Sequence, residues 1–161
     1  MSELIRDTVL PSGLAAPVPA KDGLDLPFWE GLRRHELVIQ HCRPCGRFQW
    51  GPEWICGRCL SFDLGWESVE PRGKIFSWER VWHPIHPALT SAVPYVIVLV
   101  ELARADDVRI IGNLAADPTQ EITIGSEVAG LFEDHDDGPA PYTLLQWVFV
   151  ENPDVLSLPK S

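Results

Sequence analysis

The four cysteines of the chain fall into two equal spacings, Cys42-Arg-Pro-Cys45-Gly46 and Cys56-Gly-Arg-Cys59, with ten residues between the pairs. A pair on a tight turn can aim two thiolates at one point about 2.3 Å away, and two facing turns complete a tetrahedral sulfur site. Gly46 and Gly57 stand where such a turn needs backbone freedom. Four thiolates around a dication leave no open coordination position, so the expected metal is structural zinc and not a Lewis acid. A rubredoxin-type iron site uses the same ligands, and disulfides or free core thiols are the metal-free alternatives. If all four bind metal, the chain has no cysteine left to serve as a nucleophile.

Other catalytic sets are missing from the sequence. It has no Gly-x-Ser-x-Gly elbow, no phosphate-binding glycine-rich loop and no His-Glu-x-x-His. The remaining acid–base candidates are His83 and His86, which flank Pro84, and the run Glu133-Asp134-His135-Asp136-Asp137. The first pair reads as a polar loop bordered by prolines, and the second as a solvated hairpin tip without calcium-loop spacing. Seven tryptophans are many for 161 residues. Trp78, Trp82 and Trp147 are expected in the core or on the face of a sheet. Trp29, Trp50 and Trp54 lie where little core is available, so they either pack on one another or anchor an interface.

The elements that must position these groups follow from pattern. Residues 1–24 are rich in proline and alanine and read as an extended arm. A helix should begin with Asp25 as its cap and Pro27 in the first turn, carry Phe28, Trp29 and Leu32, and end near His35 or Glu36. Leu37 to Gln40 is β-like and leads into the cysteines. Beyond Gly65 the periodicity is that of strands: a short one at 66–69, then 73–83, 94–102, 109–114, 127–132 and 143–150. Within 73–83, Phe76, Trp78 and Trp82 are expected on one face, with Ile75, Val81 and His83 on the other. Gly112 marks a bulge or a close backbone approach. Five strands with a long connection at 115–126 and no long helix suggest a small closed barrel of the OB type, and a five-stranded sandwich is the rival. The expected division is an arm at 1–24, helix plus metal ribbon at 25–65, a barrel at 66–151 and a tail at 152–161.

Charge is segregated along the chain. The whole carries 13 Lys and Arg against 23 Asp and Glu, a net of -10. Residues 31–60 nevertheless hold five arginines (Arg33, Arg34, Arg43, Arg47 and Arg58) against Glu36 and Glu53. The barrel segment is therefore acidic, whereas a groove for single-stranded nucleic acid is basic. A zinc-ribbon and OB-fold nucleic-acid module is thus the weaker alternative. Neither a signal peptide nor a run near the roughly 18 apolar residues of a membrane helix is present, so a cytoplasmic protein with reduced thiols is expected.

The runs Pro27-Phe28-Trp29-Glu30-Gly31-Leu32, Leu37-Val38-Ile39-Gln40-His41-Cys42-Arg43-Pro44-Cys45-Gly46 and Cys56-Gly57-Arg58-Cys59 resemble the DUF35 family. Gly73-Lys74-Ile75-Phe76-Ser77-Trp78, Pro94-Tyr95-Val96 and Gly112-Asn113-Leu114 continue the likeness, which covers roughly residues 25–150. One departure is visible: family members often have glycine directly after the fourth cysteine, where this chain has Leu60. The resemblance implies an N-terminal helical segment, a rubredoxin-like zinc ribbon and a C-terminal OB-fold. It also implies a non-catalytic subunit that partners a thiolase-fold aldolase or thiolase acting on acyl-CoA, expected as a heterotetramer, or else a MaoC-type hydratase. On that reading Cys42, Cys45, Cys56 and Cys59 hold zinc. Phe28, Trp29 and Arg33 dock the helix on ribbon and partner, while Trp78, Trp82, His83 and His86 close over the acyl or pantetheine group. Arginines near the ribbon would meet the nucleotide phosphates of CoA.

Overall fold

A computed structural model describes residues 8–11, 14–15, 17, 20, 22–136 and 140–150; the tail at 152–161 and much of the arm lie outside the described residues. The fold is mainly β. One short helix, α1 (Leu26–Arg33), precedes a small sheet of β1 (Leu37–Cys42), β2 (Phe48–Gln49) and β3 (Leu64–Val69). The larger sheet holds β4 (Arg72–Val81), β5 (Tyr95–Leu102), β6 (Val108–Asn113), β7 (Glu127–His135) and β8 (Tyr142–Phe149). β3 pairs with β1 along its whole length, from Leu37 opposite Val69 to Cys42 opposite Leu64. It therefore straddles the boundary expected at residue 65.

The large sheet runs β6-β5-β4-β7-β8 with antiparallel neighbours. It nearly closes on itself: Leu114, just past β6, bridges Trp147 of β8 in parallel, and Ala115 N donates to Trp147 O at 2.8 Å. A meander of three strands, with the fourth returning to the first and the fifth closing against the third in parallel, is the five-stranded OB barrel. Gly112 makes that seam possible, since a Cβ there would lie 2.6 Å from Leu145 O and 2.8 Å from the Trp147 ring. The 115–126 connection carries no helix; its turns end by burying Ile122 under the barrel.

Helix α1 ends at Arg33, short of the expected His35 or Glu36. Asp25 makes no side-chain cap; its carboxylate instead accepts from Trp29 Nε1 at 2.9 Å. Gly31 lets the helix lie on β1, where a Cβ would come within 2.8 Å of Val38. Phe28, Leu32, Leu37 and Ile39 join Ile75, Val96, Val98, Val100, Val128 and Trp147 in one buried cluster. Helix, ribbon and barrel thus share a core, and burial of apolar area locks their relative orientation.

The face assignment along β4 needs correction. Ile75 pairs with Val100 and Ser77 with Leu99, so Phe76 is an extra residue, a β-bulge. The bulge shifts the alternation by one position. Ile75 and Trp78 consequently both face inward, Trp78 packing on the core, while Phe76 stands on the outer face beneath the Arg109 guanidinium, 3.4 Å from its ring centroid.

Candidate metal centre and the surfaces around it

Two turns with the same backbone hydrogen-bond pattern build the cysteine cluster. In the first, Gly46 N donates to Cys42 O at 2.8 Å and Cys42 N to Arg47 O at 2.8 Å. In the second, Leu60 N donates to Cys56 O at 3.0 Å and Cys56 N to Ser61 O at 2.9 Å. The buried side chain of Gln40 ties the connecting loop down, its amide donating to Glu53 O at 2.9 Å while its oxygen accepts from Glu53 N at 3.0 Å. Across the ribbon–barrel joint, Asp106 accepts from Phe48 N at 2.9 Å.

All four sulfurs lie within 4.8 Å of one another, with Cys42 to Cys59 at 3.5 Å and Cys45 to Cys56 at 3.6 Å. A tetrahedron of sulfurs around zinc has edges of about 3.8 Å, given a Zn–S bond of about 2.3 Å. The donor set fits that ion in number, type and spacing. Charge makes the same point. Backbone N–H groups of Cys59 and Arg58 lower the Cys56 thiol to about 6, whereas burial raises Cys42 to about 12. Without a cation the cluster cannot hold four thiolates; a dication makes that the preferred state.

The remaining residues singled out from sequence are scattered. Phe28 is buried, its ring 4.5 Å from Trp50 and 5.5 Å from Trp29, so three of the aromatics near the ribbon pack on one another. Arg33 is turned inward to the β7–β8 hairpin, 3.0 Å from Asp136, 3.5 Å from Asp134 and 3.1 Å from Thr143 Oγ1. A cleft of about 210 Å³ lies between that helix and the hairpin, lined by Trp29, Arg33 and Tyr142 among others. At the far end of β4, Trp82 and His83 border an open groove of about 520 Å³ with Arg80 and Ile85. Trp78 lies behind the groove, its ring under Arg80 at 5.2 Å. His86 is exposed, and its Nδ1 accepts from Ala88 N at 3.2 Å, capping a turn.

The acidic run departs from the reading of a solvated tip. Its first member, Glu133, is buried and accepts from His135 Nε2 at 2.6 Å, Gln146 Nε2 at 3.3 Å and Val9 N of the arm at 2.9 Å. Asp134 is bound by Thr143 and His35. Partial burial works to raise its pKa, yet the Thr143 hydroxyl, His35 and Arg33 together hold it below the ordinary carboxylate range. The role of Gln40 was not foreseen, and its one available signal was a polar side chain in an otherwise apolar run; Glu133 was named as an acid–base candidate, but its burial was not expected.

Two family models match this architecture, the rubredoxin-like zinc ribbon domain of ChsH2 over residues 29–65 and the C-terminal OB-fold domain of ChsH2 over residues 66–133. A solved chain described as "Ltp2-ChsH2(DUF35) aldolase" superposes with a TM-score of 0.69 at 30% identity, covering 82% of this chain and 98% of that one. The chain belongs to the DUF35 family. A DUF35 protein of unknown function from Sulfolobus solfataricus shares the fold, with a TM-score of 0.56 at 14% identity over 80% of this chain and 86% of that one. Among curated relatives, a probable enoyl-CoA hydratase alpha subunit of Thermomonospora curvata is 37% identical over 107 residues, 65% of this chain and 32% of that protein. The 3-oxo-4,17-pregnadiene-20-carboxyl-CoA hydratase alpha subunit of Mycobacterium tuberculosis is 31% identical over 144 residues, 89% of this chain and 42% of that protein. This DUF35 chain therefore spans less than half the length of either. No helix among its described residues is long and apolar enough to cross a membrane.

Proposed function

We propose that this DUF35 chain is a non-catalytic, zinc-stapled subunit that partners a thiolase-fold enzyme acting on acyl-CoA and helps shape the acyl-CoA site. One observation carries the reading: all four cysteines of the chain converge in one cluster, which leaves no thiol for acyl transfer or carbon–carbon cleavage. The likeness to a chain of an aldolase complex over nearly that chain's whole length supports the partner class. In this role Cys42, Cys45, Cys56 and Cys59 hold zinc, which supplies only fixed geometry, because four sulfurs leave it no site for substrate. The ribbon is then a rigid bracket on the barrel, and the groove beside Trp82 and His83 faces the acyl or pantetheine group. A heterotetramer with two copies of each subunit is the expected assembly.

The test is reconstitution. The chain alone should be inert toward β-hydroxyacyl-CoA and enoyl-CoA thioesters. Co-expressed with a thiolase-fold subunit encoded beside it, it should co-elute as one complex that cleaves the β-hydroxyacyl-CoA. Turnover by the isolated chain would refute the subunit role. A second reading has its own support, since both curated relatives are hydratase alpha subunits. It replaces the partner with a MaoC-type hydratase, and the same experiment would then show hydration of the enoyl-CoA and no cleavage.

A further inference from the structure

Four non-glycine residues among those described have positive φ: His35, Leu60, Asp106 and Asp107. For three of them the chain itself offers a reason. His35 stacks on Phe132 at 5.2 Å and bonds Asp134 at 2.9 Å, Asp106 holds Phe48 N, and aspartate tolerates the left-handed region. Leu60, at φ 61°, has no such return: its side chain is 67% exposed. The matching position of the first turn is Gly46, at φ 73°, where a Cβ would meet nothing within 4 Å. Space therefore does not explain why one turn uses glycine and the other leucine. An apolar side chain is kept on the surface in a conformation that costs stability.

Leu60 has neighbours of the same kind. Trp54 is 72% and Phe62 78% exposed, and the Cys56 N to Ser61 O bond draws the two stretches of chain together beside the metal turn. Arg47 and Arg58 flank this tip, and neither pairs with a carboxylate of the described residues. Exposed apolar side chains with unpaired arginines beside them are the composition of an interface core. Its charge also selects the occupant. A second copy meeting tip to tip would oppose arginine to arginine. We infer that Trp54, Leu60 and Phe62 form a docking tip for the catalytic partner subunit, which receives them in an apolar recess rimmed by carboxylates. This rests on the subunit role proposed above and locates its contact on the ribbon.

Leu60→Gly is the decisive variant, because it removes the anchor and relieves the backbone at once. Isolated Leu60→Gly should keep one zinc per chain and melt at or above the wild-type temperature. It should nonetheless bind the co-expressed thiolase-fold subunit at least tenfold more weakly, as should Trp54→Ala. An Ile124→Ala variant, altered at an exposed position of the 115–126 connection, should bind as wild type. Wild-type affinity in both tip variants overturns this inference and leaves the subunit role standing; a wild-type chain that binds neither a thiolase-fold nor a hydratase subunit overturns both. Low-salt binding of single-stranded RNA by the wild type that is lost in Leu60→Gly would reassign the tip to nucleic acid and overturn it as well.

Discussion

Removing the metal should open one segment of this molecule and spare the rest. Between residues 43 and 63 the sole buried residue is Cys56, so almost no apolar burial holds the two turns in place. Beyond the partial packing of Phe48 and Trp50 and the short β1–β2 pairing between the turns, what holds them is the four-sulfur cluster and the hydrogen bonds of Gln40 and Asp106. Structural zinc in small peptide modules contributes about 10–16 kcal/mol at neutral pH. Even about 10 kcal/mol, at 1.4 kcal/mol per tenfold, suppresses local opening by about seven orders of magnitude. That is comparable to the usual global stability of about 5–15 kcal/mol, so in the loaded protein the turns should open about as rarely as the whole domain unfolds. The flanking strands differ, since Leu37 and Ile39 of β1 belong to the common core and remain anchored without metal.

Limited trypsin digestion reads this directly, because Arg47 and Arg58 lie in the segment, are exposed and are not followed by proline, unlike Arg43, which precedes Pro44. Zinc-loaded protein should resist cleavage at both sites. After thiol titration with an organomercurial in the presence of a chelator, then reductive removal of the mercurial, those sites should be cut first. A fragment from about residue 59 onward should persist with barrel circular dichroism. Resistance at Arg47 and Arg58 in metal-free protein would refute the reasoning, because it would mean that the turns are held by something other than metal. Loss of the barrel along with the turns would refute the second half, the independence of the core.

Three further perturbations test the frame that holds the ribbon. Trp147→Ala empties a fully buried site at the barrel seam and should cost about 3–5 kcal/mol in urea unfolding. Gly112→Ala drives a methyl against Leu145 O and the Trp147 ring, and should lower the melting temperature by the equivalent of about 1–3 kcal/mol. Asp134, with a pKa held below the ordinary range, stabilises the fold above pH about 4 and loses that contribution as pH falls through its lower folded value. Its side chain is 39% exposed, so Asp134→Asn should cost no more than about 1 kcal/mol at pH 7, and the gap to wild type should close near pH 2 in thermal melts.

The metal centre was legible because two cysteine pairs at fixed spacing have few physical meanings, and Gly46 marks the first turn; the left-handed position of the second turn falls on Leu60 and not on Gly57. The barrel was legible because alternation survives in β5, where Val96, Val98, Val100 and Leu102 line one buried face. Sequence failed where geometry breaks a period. Phe76 sits in a bulge, and nothing in Ile75-Phe76-Ser77-Trp78 announces that two residues will oppose one across the ladder. It failed again where a polar group owes its burial to distant partners. Glu133 is covered by Gln146, thirteen residues away, and by Val9, 124 residues away, so its local context of acids reads as solvent-facing. Nothing beside Arg33 in sequence announces its own-chain partners either, since they lie on β8 and just beyond β7.

Those long-range contacts also bear on the docking tip proposed above, although the barrel too leaves Trp82 and Ile85 exposed. The helix spends Arg33 on Asp136 and Thr143, and Phe28 on Trp50, so its charged and aromatic groups are already satisfied within the chain. The barrel spends Trp147 and Trp78 on its core. By contrast, the ribbon turns leave Trp54, Leu60 and Phe62 in solvent, on the part of the molecule that depends most on metal and least on burial. If that tip is the contact, metal and assembly are linked. Binding that favours the zinc-loaded conformation must tighten zinc retention by the factor that zinc tightens the complex. Zinc release to a chromophoric chelator should therefore be slower from the complex than from the isolated chain, and Leu60→Gly should abolish that difference; equal release rates with and without the partner would separate the metal from the interface.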